Sequence, residues 1–181
     1  HVRSDISTRY HHRVASVPPI VATLAAHYQH KPGQYLAFFS SFAYLEQVMN
    51  AFEQAHPEIP VFAQTRSMQE PEREAFLARF TPGGKGIGFA VLGGAFAEGI
   101  DLPGERLIGA FVATLGLPPF NDFNEALKAR LQARFGRGDD YTYRIPGVIK
   151  VIQAAGRVIR SPDDEGVVVL MDDRFAHAQV R

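Results

Sequence analysis

Ile87-Gly-Phe-Ala-Val-Leu92 runs directly into Gly93-Gly-Ala-Phe-Ala-Glu-Gly-Ile-Asp-Leu-Pro-Gly104, and the fold turns on how these two stretches are read together. The first is apolar continuously rather than on alternate residues, the pattern of a strand covered on both faces. The second is a glycine-rich loop beginning where that strand ends, and open α/β sheets bind ligands just outside the carboxyl ends of their strands.

Four further runs share the character of Ile87–Leu92: Tyr35–Phe39, Ile59–Ala63, Leu107–Ala113 and Val167–Met171. Helical patterns separate most of them. Ile20, Leu24 and Tyr28 recur at helical spacing behind Pro18 and Pro19, and Phe42, Leu45, Met49 and Phe52 make a second stripe. Ser67 with Glu70, and Asp122 with Glu125, have the spacing of capping boxes opening two more helices. A last helix is expected from near Pro146 to about Arg160. Strand–helix alternation with short connections predicts a parallel β-sheet flanked by helices on both faces, in one domain spanning residues 1–181.

The last helix carries the densest chemistry. In Ile149-Lys-Val-Ile-Gln-Ala-Ala-Gly-Arg-Val-Ile-Arg160, a continuous helix would put Gln153, Gly156, Arg157 and Arg160 on one stripe roughly 100° wide. Val148, Val151, Ala154, Ala155 and Val158 cover much of the remaining circumference, so the helix is expected to be buried. Two planar guanidinium forks beside a glycine suit a polyphosphate, and such a group stabilises charge developing on a transferred phosphoryl. The alternative is an amphipathic helix whose arginines reach solvent or pair with Asp163, Asp164 or Glu165; the complete Gln-x-x-Gly-Arg-x-x-Arg pattern, followed by a turn and an apolar strand, favours phosphate.

In the Gly93–Gly104 loop, Asp101 suits a ribose hydroxyl or an arginine and Glu98 would organise the loop, but taken by itself the stretch reads better as a glycine-rich connection with Asp101 as a turn residue. In Phe38-Phe-Ser-Ser-Phe42, Ser40 and Ser41 are placed either to cap the following helix or to meet a backbone phosphate. Thr81-Pro-Gly-Gly-Lys-Gly86 lacks the spacing and the Ser/Thr of a P-loop and reads as a turn, and Leu170-Met-Asp-Asp173 ends a strand without a P-loop to serve. Phe120, Phe123 and Phe135 read as packing residues rather than base-stacking platforms, and the paired histidines as surface positions.

Composition narrows the classes. With 46% hydrophobic and 21% charged residues the chain has the makings of a packed core. The absence of cysteine removes disulfides, thiolate zinc and Cys-ligated iron–sulfur clusters from this chain, and no metal site is expected. Nineteen basic residues balance nineteen acidic ones, so there is no global field for duplex DNA. No apolar run reaches the roughly 20 residues that span a bilayer and no secretory leader is visible, so no membrane partner and a cytoplasmic location are expected. Starting at His1 rather than Met, the chain is expected to be a piece of a longer one.

In order, these segments resemble the second, C-terminal helicase domain of the DinG/XPD-like (Rad3-related) superfamily 2 DNA helicases. Phe38–Phe42 is similar to motif IV, Gly94–Gly104 to motif V and Gln153–Arg160 to motif VI, with Asp164–Phe175 similar to the strand that follows. Ala97 and Ser40–Phe42 depart from the residues usual at those places. The resemblance implies a RecA-like fold and an ATP- and Mg²⁺-dependent motor moving 5′ to 3′ on single-stranded DNA, working with an N-terminal motor domain of the same polypeptide. It makes Arg160 the arginine finger, Arg157 a second γ-phosphate contact, and Gln153 and Gly156 part of the ATP site. It further implies that Asp101, Glu98 and Gly99 link nucleotide to DNA, and that Ser40 and Ser41 lie near the DNA backbone. The fragment alone is expected not to hydrolyse ATP. The rival expectations are a non-catalytic regulatory or scaffolding domain, and an RNA motor of the same architecture.

Overall fold

The structure is a computed structural model that describes residues 1–93, 102, 106–156, 158 and 165–176. Five strands, β1 (Gln34–Phe39), β2 (Val61–Ala63), β3 (Gly86–Val91), β4 (Gly109–Ala113) and β5 (Val167–Leu170), form one all-parallel sheet in the order β2-β3-β1-β4-β5. The register sets Phe39 beside both Val91 and Ala113, so the three central strands end level and their exits share one edge.

All six residues of β1 are buried, because helices cover both faces. On one face α1 (Arg13–His30) and α2 (Phe42–Ala55) bring Ile20, Leu24, Leu45, Val48 and Phe52 against Tyr35, Ala37, Phe39, Phe89 and Phe111. On the other, α3 (Glu70–Ala78) and α5 (Ile145–Ala155) bring Phe76, Val151 and Ala154 against Leu36, Phe38, Ala90, Ala110 and Val112. This is the α/β architecture the apolar runs predict. Residues 1–9 run beside β5: Val2 bridges Leu170 in parallel, Arg3 N–H donates to Leu170 O at 2.8 Å, and Asp173 N–H donates to Ile6 O at 2.7 Å.

Element ends differ from the sequence reading where backbone chemistry intervenes. The second strand starts at Val61 rather than Ile59; Pro60 has no N–H to give, and its carbonyl accepts from Ile87 instead. α1 starts five residues before Pro18, led in by a 3₁₀ turn at Tyr10–His12, so both prolines lie inside it. α3 is capped at Gln69, whose N–H donates to the Glu72 carboxylate at 2.7 Å, not at Ser67. α4 (Asp122–Phe135) is capped by Asn121, which accepts from Asn124 N–H at 2.8 Å, not by Asp122. After Gly136 a π-helical turn, Asp140–Arg144, leads into α5, which starts at Ile145, one residue before Pro146.

Two expectations are overturned. Phe120, Phe123 and Phe135 are exposed rather than packed, and α4 buries none of its residues. α5 is buried on one face only: Ile145, Ile149 and Ile152, spaced i, i+4, i+7, form an exposed stripe.

Candidate functional site

The shared carboxyl edge holds Ser40 and Ser41 of the residues that the sequence singled out. By contrast, α5 starts at the β4 exit, where Gly147 lies against the Leu115 carbonyl, and carries Gln153 and Gly156 back toward the strand starts, where Val158 lies against Gly166. At the exit of β1, Ser40 is exposed and its hydroxyl accepts from Arg13 Nη2 at 2.9 Å. The Arg13 guanidinium lies 5.3 Å from the Tyr10 ring centre and 5.1 Å from that of Tyr44, held between two aromatic faces. Ser41 caps α2, accepting from Tyr44 N–H at 3.3 Å, and α2 has no acid in its first turn. Burial raises the Tyr44 phenol, partly offset by its contact with the Ser16 hydroxyl. Arg13 was not predictable from spacing, because 27 residues separate it from Ser40.

On the opposite face α5 packs through Val151 and Ala154 and leaves Gln153 exposed, without a hydrogen-bond partner among the described residues. Gly156 ends the helix with φ −64° and ψ −5°. A Cβ there would meet the Ile152 carbonyl at 3.2 Å and the Gln153 carbonyl at 3.7 Å, both on α5 itself, so no other element among the described residues closes over this position. The helix stops at Ala155 rather than near Arg160. Arg157, Arg160, Glu98, Gly99 and Asp101 lie outside the described residues.

Asp172, at the end of β5, points inward instead of toward the edge. It is fully buried and accepts from Thr8 N–H at 3.0 Å and from the Thr8 hydroxyl. Arg174 adds donations from its backbone N–H at 2.9 Å, Nε at 2.6 Å and Nη2 at 2.8 Å. Burial by itself would raise this carboxyl, but the hydrogen bonds from Arg174 and Thr8 outweigh it and hold the group well below the usual carboxylate range. With its oxygens so occupied, Asp172 is a structural anchor and not a metal ligand. No helix among the described residues is long and apolar enough to cross a membrane.

A family model, the helicase C-terminal domain, matches residues 24–181, which include β1 to β5, α2 to α5, Ser40, Ser41, Gln153 and Gly156. The chain belongs to that family. It is 33% identical over 169 residues to regulator of telomere elongation helicase 1 of Bos taurus, covering 83% of this chain and 14% of that protein. It is 29% identical over 160 residues to a probable ATP-dependent helicase of Methanocaldococcus jannaschii, covering 80% of this chain and 24% of that protein. A solved XPD helicase structure shares its fold with a TM-score of 0.80 at 22% identity, over 99% of this chain and 32% of that one. This helicase C-terminal domain thus spans a quarter or less of the curated relatives it matches. Its all-parallel sheet with helices on both faces is the RecA-like architecture.

Proposed function

We propose that this helicase C-terminal domain is the second motor domain of an ATP-dependent helicase that moves 5′ to 3′ on single-stranded DNA in the cytoplasm. The observation that carries the reading is the carboxyl edge at the exit of β1, where the exposed Ser40 hydroxyl meets the Arg13 guanidinium beside the capped N-terminus of α2. An exposed hydroxyl beside a guanidinium, next to a helix N-terminus with no acid in its first turn, suits phosphate oxygens.

In this reading Arg160 is the arginine finger and Arg157 the second contact to the γ-phosphate, with Gln153 and Gly156 completing this domain's share of the ATP site. Asp101, Glu98 and Gly99 relate that site to the nucleic-acid track, to which Ser40 and Ser41 contribute. The Mg²⁺ carboxylate and the phosphate cradle belong to a preceding motor domain of the same polypeptide. Bound ATP supplies the free energy of translocation; what this chain supplies is positive charge and orientation at the γ-phosphate.

Substitution in the full-length protein tests this. Arg160→Ala is expected to lower ATP turnover about 10³-fold while leaving nucleotide affinity much less affected. Unchanged turnover would overturn the assignment and favour a scaffolding role. Unwinding of RNA but not DNA duplexes by the wild type would redirect the substrate. The isolated chain is expected to show no multiple-turnover hydrolysis.

A further inference from the structure

We propose that Lys150 is an additional phosphate contact of this site, a cation that α5 delivers to the carboxyl edge one turn ahead of Gln153. The inference rests on reading that edge as a place where phosphate is handled, and it is carried by how Lys150 is housed. Lys150 follows Ile149 on α5 and is half-buried. Gly93, the second residue after β3, has φ +83°, and a Cβ on it would lie 3.4 Å from Lys150 Nζ, 3.5 Å from Cδ and 3.6 Å from Cε. Gly116, beyond the end of β4, has φ +65°, and a Cβ on it would lie 3.3 Å from Lys150 Cβ. The lysine stem therefore reaches from the β4 exit to the β3 exit, past two positions whose left-handed backbone favours glycine and leaves the stem room. The ammonium ends beside the first glycine of the loop after β3.

Its charge is unbalanced. Among the described residues no carboxylate or hydrogen-bond acceptor meets Lys150, whereas three basic side chains before it are paired: Lys128 with Asp139 at 3.3 Å, Arg137 with Asp140 at 2.8 Å and Arg144 with Asp140 at 2.8 Å. A lysine that served only to cover apolar surface would direct its head group outward to solvent. Here the head group lies against strand-exit backbone, where α/β sheets bind ligands. An ammonium is a compact point charge suited to a phosphoryl oxygen, which both a nucleotide and a nucleic-acid backbone present.

The test uses the full-length helicase with Lys150→Met, which keeps the stem but not the charge, and Lys150→Arg, which keeps the charge. Binding of Mg²⁺–ATPγS and of fluorescent oligo(dT) is titrated for each, alongside thermal unfolding. Lys150→Met is expected to weaken one of the two ligands about tenfold with an unchanged melting temperature, and Lys150→Arg to retain most of that affinity. A loss on ATPγS makes the nucleotide the source of the phosphate. A loss on oligo(dT), with the salt dependence shallower by about 0.7, makes it the backbone. Wild-type affinity for both ligands in Lys150→Met, or equal losses in both variants, overturns the proposal. If Arg160→Ala abolishes turnover while Lys150→Met changes nothing, the inference fails alone; if Arg160→Ala is also silent, the reading beneath it fails.

Discussion

At the end of β5 the Asp172 carboxylate ties the first nine residues to the last strand, since Thr8 and Arg174 both donate to it. The folded state holds this carboxyl below its ordinary value, so its contribution to stability is present above the unfolded-state pKa of about 4 and is lost as pH falls toward the folded one. Asp172→Asn removes that dependence and leaves Arg174 facing a neutral amide. The substitution is expected to destabilise the protein at pH 7 by about 3 kcal/mol. Between pH 4 and lower values its stability is expected to fall less steeply than that of the wild type. Urea unfolding at a series of pH values checks both; parallel pH profiles for the two proteins would show that another carboxylate governs the acid limb. The Asp172–Asp173 pair looks in sequence like a metal-holding strand end, and only the folded position of Thr8, 164 residues away, reveals its structural role.

At the scale of elements, the seating of α5 on β4 depends on Gly147. A Cβ there would stand 2.6 Å from the Leu115 carbonyl oxygen and 3.0 Å from Leu117 Cδ2. In a free helix Gly147→Ala would gain about 1 kcal/mol of propensity. Here the overlap with backbone is expected to outweigh it, for a net loss of about 1–2 kcal/mol. The helix would be displaced along with Gln153, so full-length Gly147→Ala should lose ATPase activity as well as stability, and a stabilised, fully active variant would contradict this seating. The strands were legible because burial on both faces leaves uninterrupted apolar runs such as Tyr35–Phe39. Caps were misplaced by one or two residues because Asn121 and Gln69 compete with equally plausible neighbours, Asp122 and Ser67. Gln153 and Gly156 could be found from their motif, but the end of the helix at Ala155 could not, since Val158 continues the apolar spacing and is buried beyond it. Arg13 and Lys150 carry no local signal: each meets its neighbours across long sequence separations.

For the molecule as a whole, stability is concentrated in the two layers against the sheet, and little of it comes from α4. Phe111 sits on β4, between β1 and β5, fully buried, with ring centres 5.4 Å from Tyr35 and 5.4 Å from His27. Truncating it opens a void that α1 cannot fill without leaving Tyr35, so Phe111→Ala is expected to cost about 3–5 kcal/mol. Phe123, 75% exposed on a helix with no buried residue, has almost no contact area to lose. Phe123→Ala should therefore stay within about 0.5 kcal/mol of wild type. Equilibrium urea unfolding of this chain measures both. A large loss for Phe123→Ala would mean that α4 packs against the body of the domain in solution, which would also withdraw the exposure of Phe120, since Phe120 stacks on Tyr143 with ring centres 6.4 Å apart and the Tyr143 hydroxyl donates to Glu125 of the same helix. A loss confined to Phe111→Ala would establish that the sheet and its two helical layers fold independently of that exposed aromatic side chain.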